Sequence, residues 1–561
     1  MARMCNLIGI YLRYVTRLRL RQAYWLLLAL PWVSVTQGGE VDGTRVGAAI
    51  YRQGLLPSGA SLSGRRDAST DVQGMAAACI NCHRASGLGA AEGRIVIPPI
   101  IGKYLFRSHA TNVQDMTAPH LAGYRSTRPP YTDESLAQAI RQGVTPNGRR
   151  LNYLMPRYAL DDATMASLIA YLKTLSAGEV PGVSADTLHF ATVITPDADP
   201  RQRRGMLDVM EQFFADKNAF IRGGLRPMRS TREIEYRVSR RWQLHVWELT
   251  GPPEHWEQQL HARMAAEPVF AVISGLGGRT WAPIHRFCQT AKVPCLLPNV
   301  ELPPVDERDF YPVYFSRGVL LEVDLLAGLL RAKDTPKSSA PQRLVQVYRA
   351  GDVGEVAASA LAAIAVANGL QVENRALPAL AASTTEVAQA TRQLAPTDAL
   401  VLWLRAPDLA SLAADAKPPS MLFVSGTMGG LERAPLPGTW RETALLTYPV
   451  DLPEQRSVRM NFPLSWFRIK KIAVVDERVQ SDTYIACGIL ADTLTDMLDS
   501  FVPDYLVERV EGMLDHRLVN GYYPRLSLAS GQRFASKGSY LVRFEGATGS
   551  KVKPEGDWVV P

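Results

Sequence analysis

The residues best suited to chemistry concentrate in AACINCHRASG, residues 77–87, where Cys79, Cys82 and His83 form a Cys-x-x-Cys-His run. Two thiols at this spacing can add through sulfur to the two vinyl groups of one haem. The adjoining imidazole then falls beneath the porphyrin and offers a nitrogen to the iron. A disulfide and half of a zinc site are the alternatives. Zinc requires a second ligand pair at suitable spacing, and none follows nearby. The chain has only six cysteines and nine histidines, so a chance match is rare. The motif therefore predicts one covalently attached haem c, held by Cys79 and Cys82, with His83 as an iron ligand.

The flanks supply elements that would position such a group. TRVGAAIYRQG (44–54) reads as a helix with Gly47 and Tyr51 four apart on one face. DDATMASLIAYLKTLSAG (161–178) has an acidic start, a stripe of Leu168, Tyr171, Leu172 and Leu175, and a stopping Gly178. IPPIIG (97–102) and LNYLMPRYALDD (151–162) lie between them. Over roughly residues 42–178 this arrangement resembles a class I cytochrome c. The resemblance implies that the small residue and the aromatic let the first helix cross the last closely. It implies that the Pro98–Pro99 loop presents a carbonyl to the other ring N–H of His83, which fixes its tautomer. It also makes Met155, in a Met-Pro segment, the second axial ligand, with Met116, His109 and His120 as competitors. His/Met ligation fills both axial positions and favours electron transfer over oxygen chemistry. The long span from His83 to Met155 departs from the smallest such proteins. It implies an inserted loop around LFRSHATNVQDMTAPHLAGYRSTRPPY (105–131), a candidate docking surface.

With 561 residues, two or three domains are expected. Residues 1–38 read as a secretory signal. Arg3, Arg13, Arg17, Arg19 and Arg21, with no acid among them, precede the apolar stretch AYWLLLALPWVSV (23–35) and then TQGGE. A cut after Gly38 would put Thr36 and Gly38 at the small-residue positions. An uncleaved anchor is the alternative, disfavoured because the apolar core is short for a membrane span. Cys5 lies upstream and is expected to be irrelevant to the mature protein. The net charge of +8 falls to 8 − 5 = +3 without this segment, so nucleic-acid binding is not indicated. A periplasmic location is expected.

A linker over 179–187 ends the first domain, residues 39–178, and the rhythm of the sequence changes. LHFATVITP, WQLHVWELTG, VFAVISGL and VPCLLPN read as strands separated by amphipathic helices. The pattern restarts at RLVQVYRAGD and runs through EVAASALAAIAVANGL, DALVLWLRAP, SMLFVSGTMGG and KIAVVDE. Apolar strands alternating with helices predict doubly wound parallel sheets. Two such units, closed by YPRLSLASGQRFASKGSYLVRF (523–544), resemble the type I periplasmic solute-binding proteins of the branched-chain amino acid receptor group. The fold class is thus multi-domain: an all-α cytochrome c domain, then a two-lobed α/β domain over 188–545, with a tail at 546–561.

That second resemblance implies a ligand cleft between the lobes, lined by loops at the carboxyl ends of strands. The first-lobe loop would contribute Ser274, Gly275, Gly277, Gly278, Arg279 and Thr280, whose amides and helix start suit an anion. The second lobe would contribute Tyr348, Asp352, Ser425 and Thr427. Arg279 and Trp281 depart from the usual Ser/Thr pair, which argues against an amino acid ligand, and tight turns that bind nothing fit the same residues. Cys288 and Cys295, seven apart, suit a local disulfide in an oxidising compartment, with two buried thiols as the alternative. Cys487 sits on an apolar helix face and is expected in the core.

No Ser–His–Asp order, metalloprotease helix or phosphate loop is evident, so no independent catalytic centre is expected. The leading reading is an exported electron-transfer protein with redox partners in the periplasm. Its second module would sense a small molecule or dock a dehydrogenase. A binding protein for transport or sensing with an accessory haem, and a haem-linked dehydrogenase subunit, are the competing readings. Met155→Ala should abolish the spectral signature of methionine–iron ligation in the haem-loaded protein; an unchanged spectrum assigns the axial position to another residue.

Overall fold

The computed structural model describes residues 42–66, 70–92, 95–106, 128–222, 240–304, 308–331, 341–379, 384–497, 500–515, 517, 519–546 and 548–561. The expected signal at 1–38, and His109, Met116 and His120, lie outside the described residues.

The first domain is organised by a close helix crossing. Helix α1 (Gly43–Gln53) begins at Asp42, whose side chain accepts from the Thr44 amide (3.1 Å), and ends at Gly54 with φ 63°. Helix α5 (Asp162–Thr174) is capped by Asp161, which accepts from the Thr164 amide at 2.7 Å. The two cross at Gly47, where an added Cβ would lie 2.2 Å from the Ser167 carbonyl oxygen and 2.6 Å from Tyr171 Cβ. Only a glycine admits that approach. Tyr51, fully buried, packs on Tyr171 with ring centroids 5.4 Å apart. Between them come α2 (Ile80–His83), α3 (Gly102–Leu105) and α4 (Asp133–Gln142).

Helix α5 stops at Thr174, short of the expected Gly178, because Ser176 turns at φ 57° and its Oγ donates to the Ser86 carbonyl at 2.8 Å. The domain is not purely helical. Strands β1 (Ser63–Arg65), β2 (Asp71–Gln73) and β5 (Arg157–Tyr158) form one small antiparallel sheet, and β3 (Ala90–Glu92) pairs with β4 (Ile95–Ile97). These pairings are too short to leave a period in the sequence.

The second module contains two sheets. The first is parallel, in order β10-β9-β8-β6-β7, built from β6 (Thr187–Ile194), β7 (Arg241–Glu248), β8 (Ala271–Ile273), β9 (Cys295–Leu296) and β10 (Pro312–Val313). The second runs β12-β11-β13-β14-β15-β16-β17, with β11 (Arg343–Arg349), β12 (Gln371–Leu377), β13 (Asp398–Trp403), β14 (Met421–Val424) and β15 (Leu445–Tyr448) parallel. Strands β16 (Tyr540–Phe544) and β17 (Val552–Pro554) are antiparallel additions. Every residue of β13 (DALVLW) is buried, as expected of a strand covered on both faces. After β15 the chain returns to the first lobe and lays the helix Glu477–Met497 against α6 (Pro200–Arg222), then passes back to β16. Cys288 and Cys295 form the expected disulfide, with Cα atoms 6.0 Å apart, and Cys487 is buried.

Two further expectations, for the second module and the C-terminal segment, are corrected. KIAVVDE is not a strand: Gln480 receives the amides of Val475 (2.8 Å) and Asp476 (3.0 Å) on its Oε1 and donates to the Ala473 carbonyl (2.9 Å). Its backbone groups are satisfied by a side chain and need no ladder. The 546–561 segment is not a free tail, since Val552–Pro554 pairs with β16 and Val559 bridges Ser539. No helix among the described residues is long and apolar enough to cross a membrane.

Gly47→Ala must push two backbones apart, and it should lower folding stability by about 1–3 kcal/mol or more. Chemical denaturation of the variant against the parent measures this; equal midpoints and slopes contradict the close crossing.

Candidate haem site and interlobe cleft

Helix α2 is one turn long and carries the motif. Cys79 and Cys82 are not disulfide-bonded and are partly exposed. His83 is 8% exposed, and its Nδ1 lies 3.0 Å from the Pro98 carbonyl oxygen. Nδ1–H therefore donates to Pro98 and leaves a lone pair on Nε2. Burial pushes the imidazole down to about 4, even though the Pro98 carbonyl opposes that shift, so the ring is neutral at physiological pH. Burial likewise pushes the Cys79 thiol up to about 12. Two reduced thiols beside a neutral, oriented imidazole fit a c-type haem.

Tyrosines bracket this turn. Tyr51 Oη donates to the Arg84 carbonyl at 2.7 Å, and Tyr158 Oη to the Ala77 carbonyl at 2.8 Å. Arg84, at φ 66°, turns the chain sharply away after His83. Pro99, next to the accepting carbonyl, is buried. Met155 lies just before β5, half-buried, with its amide donating to the Asn152 carbonyl at 3.1 Å.

The loop after His83 is held by the second module, which sequence reasoning missed. Ser86 donates its amide (2.9 Å) and its hydroxyl (2.6 Å) to the carboxylate of Glu508. Arg84 pairs with Glu511 and donates to Ser530 Oγ at 2.5 Å, while Arg52 pairs with Asp504 at 3.4 Å. Glu508 and Glu511 are both buried. All three acids sit on the helix Pro503–Leu514 at spacings of four and three. An acidic stripe interleaved with an apolar one was the available signal.

In the cleft, the expected loops already bind carboxylates that belong to the chain. The Gly278 amide donates to Thr195 Oγ1 (3.1 Å) and the Arg279 amide to Asp197 (2.8 Å). Gly275 and Gly277 lie against the Trp281 ring, and Thr280 accepts from the Ala282 amide at 3.3 Å. Ser274 shares a hydrogen bond with Thr483 (3.0 Å) and accepts from Asn299 (3.1 Å). Ser425 Oγ (2.5 Å), Thr427 N (2.9 Å) and Thr427 Oγ1 (2.6 Å) all donate to Glu322. Asp352 caps a helix and pairs with Arg405, which also pairs with Glu301 across the lobes, both at 2.7 Å. Tyr348 belongs to the buried core around the second sheet.

A crevice of about 10 Å³, room for roughly one water, lies next to Arg478, Asp482, Asn299, Ser316 and Tyr523. Asp482 Oδ2 accepts from Tyr523 Oη (3.2 Å) and lies 3.8 Å from Arg478 Nε; its buried Oδ1 has no hydrogen-bond partner among the described residues. Desolvation pushes this carboxyl up to about 7.

Residues 72–176 match the family model of cytochrome c. That stretch is a cytochrome c domain. It covers the motif, the Pro98 loop, Met155 and α5. No curated protein matches the chain. Among solved structures, a fatty acid ABC transporter substrate-binding protein from Thermomonospora curvata is similar to it at 15% identity and TM-score 0.48, over 68% of this chain and 95% of that one. A possible leucine/isoleucine/valine-binding protein from Rhodopirellula baltica is similar at 16% identity and TM-score 0.47, over 68% and 98%. A substrate-binding periplasmic protein from Ralstonia solanacearum is similar at 14% identity and TM-score 0.48, over 66% and 100%.

The raised carboxyl of Asp482 gives a pH test. The native state holds this proton up to about pH 7, whereas the unfolded chain releases it near its ordinary value of 3.8. Its stabilising contribution is complete below that ordinary value and is lost as pH rises to about 7. Asp482→Asn should therefore gain thermal stability relative to the parent as pH rises from about 4 to about 8. A melting-temperature difference that does not change with pH contradicts this assignment.

Proposed function

We propose that the protein is an exported one-electron carrier, with a single haem c on Cys79, Cys82, His83 and Met155. The observation that carries this reading is the His83–Pro98 hydrogen bond beside two cysteines that form no disulfide, inside a cytochrome c domain. The haem supplies the redox chemistry. The chain's own groups orient and hold it: Pro98 fixes the His83 tautomer, and Tyr51 and Tyr158 pin the turn that carries both cysteines. The basic and apolar N-terminal segment and the Cys288–Cys295 disulfide support an oxidising, periplasmic setting.

The second module is read as a solute-binding-like platform that docks a periplasmic redox partner. A narrower role, sensing a small polar ligand, is supported by the unpartnered Oδ1 of Asp482 beside Arg478.

Expression with a c-type maturation system should give one covalent haem per chain, resistant to acid extraction. The reduced spectrum should be that of His/Met ligation, and the Cys79→Ala/Cys82→Ala variant should carry no covalent haem. Stoichiometric haem in that double variant, or none in the parent, overturns the reading. Small ligands that shift the haem potential would support sensing; binding without any haem response would favour a transport role for the cleft.

A further inference from the structure

The haem loop is not completed by the cytochrome domain alone. We propose that Glu508 and Glu511, on a helix of the second module, are positioning residues of the haem site. They hold the loop Arg84–Gly89 that follows His83, and Glu508 sets its local charge.

The Ser86 peptide is fastened at every polar group. Its carbonyl accepts from Ser176 Oγ (2.8 Å), while its amide and hydroxyl both go to Glu508 (2.9 and 2.6 Å). Ser86 Oγ also accepts from the Leu88 amide at 3.1 Å, which carries the constraint along the loop. From there the Gly89 amide donates to the His83 carbonyl (3.2 Å) and the Ile100 amide to the Gly87 carbonyl (2.8 Å). The chain of bonds from Glu508 thus reaches both ends of the segment that joins His83 to its Pro98 acceptor. Glu511 adds a second anchor. It pairs with Arg84, the residue next to His83, and with Arg533 at 2.9 Å.

The groups facing Glu508 make its charge consequential. Ser86 is its hydrogen-bond donor, Arg84 attracts it, and Asp504 repels it, whereas burial is the largest influence and opposes ionisation. No arginine or lysine bonds to it directly among the described residues. A buried, unpaired carboxylate is a poor device for stability alone. Ferric haem carries one more positive charge than ferrous haem, so a carboxylate bonded to the proximal loop favours the ferric state and lowers the potential.

This inference rests on the haem reading above, and the test uses the full-length, haem-loaded protein. Spectroelectrochemical titration at pH 8 compares the parent with Glu508→Gln, Ser86→Ala and Glu511→Gln. Glu508→Gln keeps an acceptor for the Ser86 amide but removes the charge. Its ferrous/ferric equilibrium should shift toward ferrous by up to about tenfold, or about 59 mV for one electron, with the axial-ligand spectrum intact. Ser86→Ala and Glu511→Gln keep the Glu508 charge but loosen the loop. They should alter the iron-ligand spectrum in the ferric state with a smaller change in potential. Parental potentials and spectra in all three variants overturn the inference while leaving the haem reading standing. Absence of haem c from the parent overturns both. Should one variant fail to fold, the remaining two still decide the outcome.

Discussion

The hydrogen bond from His83 to the Pro98 carbonyl, at 3.0 Å, is the constraint around which the first domain is arranged. It needs the loop 84–100 to fold back so that residue 98 meets residue 83, and that return requires three supports. The sharp turn at Arg84 is stabilised by Tyr51, which is itself fixed by the close crossing of α1 and α5 at Gly47. The strand pair β3–β4 brings the Pro98 end back alongside. The remaining support comes from outside the domain, through Ser86 and Arg84. A one-turn helix has almost no stability of its own, so α2 takes its geometry from these neighbours.

In the second module the loops at the strand ends bond inward, to side chains of the same chain. The amides and hydroxyls at the strand ends do receive anions, as their chemistry implies, but those anions are Asp197 and Glu322. Arg405 ties the lobes together through Glu301. Arg478 and Asp482, which the sequence did not single out, lie beside Asn299, and Asn299 bonds to Ser274 of the first-lobe loop. Fold and site are separable properties.

Legibility in the sequence followed the physics of each feature. The motif Cys79–Cys82–His83, the Gly47/Tyr51 pair, the Pro98 loop and the local disulfide are short-range patterns, and each was readable. The buried strands β6, β11 and β13 announced themselves as apolar runs. Strands β10 and β15 were too short or too closely joined to their neighbours, and β17 lay beyond a presumed boundary. KIAVVDE has the composition of a strand, and only the side chain of Gln480, several residues on, decides otherwise. Contacts of long sequence separation were invisible: Ser86 and Glu508 are more than four hundred positions apart, and nothing local marks them as partners.

The disulfide between Cys288 and Cys295 sets a requirement on how the chain matures. One pair of cysteines must be oxidised in the finished protein, whereas the proposed haem attachment needs Cys79 and Cys82 as free thiols at the moment of reaction. The same polypeptide thus demands opposite redox treatment of two cysteine pairs in one compartment. Closure of the short 288–295 loop makes each of those residues the other's nearest partner. Cys487, buried in a helix, is withheld from exchange. Sorting of the two cysteine pairs is therefore written into their spacing, and the order of assembly becomes part of what the sequence encodes.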